Sequence, residues 1–80
     1  MSMREKKKYM VLSFHSTTEA MSFEKKCMDN QIPGRLIPIP REITAGCGLA
    51  WRIPADEYPQ CRQQICDLQM KYENATELLL

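Results

Sequence analysis

Residues 35–40 read Arg-Leu-Ile-Pro-Ile-Pro, an extended run in which Pro38 and Pro40 have no N–H to give to a neighbouring strand. A central strand needs hydrogen bonds on both sides, so such a segment belongs at the edge of a sheet. In a chain of 80 residues this is a strong constraint. A domain of this size buries only ~60% of its unfolded surface, room for a small sheet and two helices. Whatever sheet forms must keep this segment on its outside.

The flanking segments supply the rest of the architecture. Residues 8–14 (KYMVLSF) are β-prone and largely apolar, which predicts a buried central strand. Ser16, with Glu19 three residues later, is a capping box. Ala20, Phe23 and Cys27 then recur at helical spacing, predicting a helix that ends at the Ile32-Pro33-Gly34 turn. A second extended run, GLAWRI, occupies 48–53. Asp56 is the expected N-cap of a second helix, with Pro59 in its first turn. Its apolar stripe is Tyr58, Cys61, Ile65, Leu68 and Tyr72, and TELLL (76–80) closes the chain as a strand.

The order β-α-β-β-α-β predicts an α+β, ferredoxin-like sandwich. Its four-stranded antiparallel sheet has the order 4-1-3-2 and carries two helices on one face. That order puts the second strand at an edge, in agreement with its prolines. Residues 1–7 are expected to be a basic, flexible lead, and 8–80 a single domain.

Charge decides little, since 11 Lys+Arg face 10 Asp+Glu. Nucleic-acid binding is not indicated, and the basic cluster from Arg4 to Lys8 reads as a solvated terminus. No apolar run approaches the ~20 residues of a membrane span, and no signal-peptide pattern opens the sequence. These features predict a cytoplasmic protein with reduced thiols. The cysteines, at 27, 47, 61 and 66, contain no C-x-x-C pair, and His15 is the only histidine, so no metal site and no cofactor are expected.

Cys47 stands apart because it lies between Gly46 and Gly48 in the loop that joins the second and third strands. In the predicted topology this loop emerges at the same end of the sheet as His15 and the Ser16–Thr17 helix start. A helix N-terminus and glycine-loop N–H groups both favour an anion, such as a thiolate or a persulfide. His15 offers a proton relay or, when protonated, a positive charge. Cys27 and Cys61 fall on apolar helix stripes and read as core thiols, while Cys66, at the stripe's boundary, reads as inert.

FHSTTEA (14–20), IPGRLIPIPREI (32–43) and AGCGLAWR (45–52), in this order, closely resemble the Se/S carrier protein-like family, and the likeness extends from Lys8 over nearly the whole chain. The resemblance implies a small carrier that holds sulfur or selenium on Cys47, the motif cysteine. It implies partners among cysteine desulfurases and other sulfur- or selenium-handling proteins. The chain has neither the Cys-Pro helix start of TusA-type carriers nor the terminal Gly-Gly of ubiquitin-like ones, so it is expected to be a third kind of carrier.

The leading expectation is therefore a sulfur or selenium carrier, more a co-substrate than an enzyme. Cys47 would form a persulfide or selenosulfide, with His15, Ser16, Thr17, Gly46, Gly48 and Arg41 around it. The alternative is a regulatory module that pairs through its sheet as a homodimer and binds a small anion with Arg41, Arg52 and the glycine loop. A thiol redox enzyme or sensor ranks below both, because Cys47 has no evident resolving partner.

Overall fold

A computed structural model describes residues 7–43 and 47–80. Along them run β1 (Lys8–Ser13), α1 (Thr17–Asp29), β2 (Arg35–Pro38), β3 (Leu49–Pro54), α2 (Tyr58–Asp67) and β4 (Asn74–Leu79). The strands form one antiparallel sheet in the order β2-β3-β1-β4, which is the expected 4-1-3-2 counted from the other edge. The proline strand β2 is an edge strand. Its ladder continues one step past Pro38, where the Ile39 N–H donates to the Gly48 carbonyl at 2.9 Å.

Register sorts the two sheet faces. Leu12 lies opposite Trp51, Met10 opposite Ile53, and Leu36 opposite Trp51, so these side chains share a face. They meet Ala20, Phe23 and Cys27 from α1 and Cys61 and Ile65 from α2 in a single core. Phe23 is its hub, with ring centroids 5.1 Å from Phe14, 6.0 Å from Trp51 and 6.4 Å from Tyr72. Tilted and edge-on contacts of this kind add to the burial of large rings. Val11 and Ala50 alternate to the opposite face and are fully buried there.

Both helices end differently from expectation. α1 stops at Asp29, Gln31 takes a left-handed φ of 56°, and the Ile32 N–H reaches back to the Cys27 carbonyl at 2.8 Å. α2 stops at Asp67, with Gln69 at φ 54° and the Met70 N–H on the Ile65 carbonyl at 3.0 Å. Each is a Schellman ending followed by a buried apolar residue, Ile32 or Met70. Leu68 and Tyr72, expected on the α2 stripe, still pack on the core, but from the connection that follows the helix.

Two further boundaries move. The N-cap of α2 is Glu57, without a side-chain cap bond, and Asp56 lies in the turn before it. Backbone bonds from Glu57 N to the Pro54 carbonyl (2.9 Å) and from Tyr58 N to the Ala55 carbonyl (3.4 Å) build that turn and shift the helix start by one residue. β4 begins at Asn74 rather than Thr76, because Asn74 already pairs with Ser13 across the sheet. Residues 1–6 of the basic lead lie outside the described residues. Lys7, by contrast, exchanges backbone hydrogen bonds with Leu80 at 3.4 and 2.9 Å. Among the described residues no helix is long and apolar enough to cross a membrane.

Candidate functional site

Three connections converge at one end of the sheet. β1 finishes there and leads into α1, β2 leads into β3, and the segment after α2 leads into β4. The α1 start is built as its capping box dictates: the Glu19 N–H donates to Ser16 Oγ at 3.1 Å. The Glu19 carboxylate returns to the chain one residue earlier than in the usual box, accepting from the His15 N–H at 2.9 Å. Ser16 Oγ thus orients the helix, and Thr17 is the exposed first helical residue.

His15 is bracketed by two carboxylates. Its Nδ1 lies 3.4 Å from Glu19 Oε1 and its Nε2 3.8 Å from Glu73 Oε2, with the ring 66% exposed. Glu73 precedes β4, and its N–H donates to the Ser13 carbonyl at 2.6 Å. The sequence reading missed this residue. The same predicted topology also brings the connection between the second helix and the last strand to this end, which places Glu73 near His15. Two polar atoms near this end, Ser13 Oγ and Glu73 Oε1, are buried without a hydrogen-bond partner.

Cys47 is half-buried and packs against the edge of the core beside Leu49. Gly48 follows with φ +95°, and nothing stands within 4 Å of where its Cβ would be. Backbone conformation, rather than lack of room, is the reason for glycine there. Arg41 is exposed in the turn after β2, where the Ile43 N–H closes on the Pro40 carbonyl at 3.0 Å. Gly46 lies outside the described residues.

The fold brings Cys47, His15, Ser16, Thr17 and Gly48 to one end of the sheet. It makes no hydrogen bond between Cys47 and His15 or Ser16 among the described residues; the His15 ring turns to Glu19 and Glu73 instead. A cavity of about 400 Å³ adjoins this end. Its lining includes Ser16, Glu19, Ser22, Lys26 and Lys71, and it does not include Cys47, Thr17 or Arg41.

The other thiols divide sharply. Burial, with smaller contributions from Cys61 and Glu24, pushes the Cys27 thiol up to about 12. Burial and then Glu57 raise that of Cys61. The thiolate is the nucleophile, so raising a thiol in this way makes it less reactive at neutral pH. Cys66 is exposed on α2, so its expected inertness cannot come from burial. Among the described residues no group of three or more His, Cys, Asp and Glu side chains could hold a metal ion.

A family model described as Putative Se/S carrier protein-like matches residues 8–77, most of the chain, including Cys47 and its flanking glycines. No curated protein and no solved structure matches it.

Proposed function

The chain belongs to the Putative Se/S carrier protein-like family, and from that premise we propose that Cys47 carries a sulfane sulfur or selenium atom between partner proteins. The Cys47 thiolate attacks the outer sulfur of a donor persulfide, such as that on a cysteine desulfurase. A bond forms from Cys47 Sγ to that sulfur, the donor's S–S bond breaks, and the donor leaves as a thiolate that takes up a proton. The transferred atom keeps its oxidation level, so no external oxidant or reductant enters. Selenium moves in the same way, leaving a selenosulfide. The protein emerges as Cys47–S–SH and returns to the thiol when an acceptor takes the outer atom, which makes it a co-substrate rather than a catalyst.

The observation that carries this reading is the family match spanning Cys47. The half-buried placement of the thiol supports it, because a persulfide at a rim is shielded from solvent thiols yet reachable by a docked partner. In this reading the N–H groups of the first turn of α1, at Ser16 and Thr17, and of Gly48, together with Arg41, stabilise the anion, and Gly46 is given the same role from its place in the sequence alone. His15, at the same end of the sheet but turned to Glu19 and Glu73, is assigned the exchange of the leaving thiolate's proton when a donor docks there. The ferredoxin-like assignment of the βαββαβ order belongs to the same proposal, as do a cytoplasmic location and a homodimer. Incubation with a cysteine desulfurase and cysteine, followed by intact mass, tests the function. Wild type gains one sulfur and Cys47→Ser gains none; equal gain in both removes Cys47 from the role.

A further inference from the structure

At the other end of the sheet, Arg35 and Arg52 are direct cross-strand partners between β2 and β3. Paired strand positions hold their Cβ atoms about 5 Å apart, and like charges placed so are destabilising. Among the described residues neither guanidinium has a carboxylate within salt-bridge distance, the two ion pairs found being those of His15. Two cations therefore share one face of neighbouring strands with no anion of the described residues between them.

The pair is held by structure that a casual surface cluster lacks. Gly34, at φ +127°, lets the start of β2 press against β3, and a Cβ there would collide with the Arg52 carbonyl and the Trp51 indole. Trp51 Nε1 donates to the Pro33 carbonyl at 3.3 Å and pins the same approach from the core side. Arg52 is stacked, its guanidinium carbon 4.7 Å from the centre of the Tyr9 ring. Stacking fixes the plane of the guanidinium and leaves its N–H edge free for a ligand. Tyr9, Pro33, Gly34, Arg35, Arg52 and Pro54 line a cavity of about 220 Å³. This open depression has room for an oxyanion.

The geometry points to a binding site for a doubly charged oxyanion of the phosphate class between Arg35 and Arg52. A dianion matches the two positive charges, and its several oxygens accept from both guanidinium forks at once, which a single carboxylate does less completely. The site lies away from Cys47 and shares no residue with the carrier proposal, so either can fail alone. It keeps Arg52 from the anion-binding alternative read in the sequence and puts Arg35 where that reading had Arg41.

Isothermal titration of the whole protein with inorganic phosphate, at fixed ionic strength in chloride, tests it. Saturable binding is expected, weakened about tenfold or more by Arg35→Gln and by Arg52→Gln, since each removes one charge-assisted fork. Arg35 is exposed, so its variant should fold normally. Lys71→Gln, in the cavity near His15, should bind as wild type does. Phenyl phosphate as a second arm separates a free ion from a larger phosphate-bearing ligand: equal affinity assigns the free ion, tighter binding the larger one. Non-saturable uptake, acetate binding as strong as phosphate, or loss with Lys71→Gln in place of Arg35→Gln would overturn the inference.

Discussion

The helix layer and the rim of the sheet treat the same side chain in opposite ways. Cys27 and Cys61 are buried where α1 and α2 meet over the sheet, among Phe23, Ile65 and Trp51. Burial disfavours both anions and raises both thiols above their ordinary value. Cys47 sits at the rim, half-buried, beside a glycine with an open backbone and at the same end as a capped helix start. Under the carrier proposal, placement, more than the sulfur itself, separates a packing atom from a reagent.

The sharpest way to break that contrast is substitution. Cys47→Ser should abolish sulfur loading and change stability by less than about 0.5 kcal/mol, as rim substitutions do. Cys27→Ala and Cys61→Ala should each cost about 1–2 kcal/mol through the cavity they leave, with loading retained. Mass spectrometry and thermal melts on the three variants check both halves. Lost loading with Cys61→Ala and a large melting change with Cys47→Ser would mean core and site are exchanged.

A second test uses pH. Folding raises the Cys27 thiol from 9.0 to about 12, so the unfolded chain gives up its proton first. The stability linked to this group is fully present below pH 9.0 and is lost as pH rises toward 12. Its slope reaches at most about 1.4 kcal/mol per pH unit. Urea melts across this window should show the decline in wild type and less of it in Cys27→Ala. An unchanged slope would show that Cys27 does not govern the alkaline loss.

What was legible in the sequence was local chemistry with a single physical meaning. Prolines in an extended run demanded an edge, and β2 is one. Ser16 and Glu19 demanded a cap, and the bond is there. The helix ends were not legible, because Gln31 and Gln69 take the left-handed conformation that glycine or asparagine would have advertised. Ile32 and Met70 hold them there by burying themselves immediately afterwards. The neighbours of His15 were half legible: Glu19 read as a cap, whereas Glu73 needed the third connection to be traced. The exposure of Cys66 was hidden by its nearness to an apolar stripe.

Smaller effects sharpen the same contrast. The Ser13 hydroxyl, near the rim, is fully buried without a partner, so Ser13→Ala should gain up to about 1 kcal/mol. A loss of stability there would reveal a hydrogen bond to that hydroxyl. Gln69→Gly relieves a left-handed residue and should gain about 0.5 kcal/mol, the conformational relief exceeding the added flexibility of the unfolded chain. A melt showing destabilisation would mean the glutamine side chain contributes contacts of its own.

The most direct measurement compares the two accessible thiols in one sample. Wild-type protein is loaded by a cysteine desulfurase with cysteine, its persulfides are trapped by alkylation, and the four cysteine peptides are quantified. Sulfane sulfur is expected on the Cys47 peptide in large excess over the exposed Cys66, with none on Cys27 or Cys61. Sulfur on Cys66 in equal or greater amount would show that exposure alone selects the thiol, and would contradict the assignment of the carrier site to the rim.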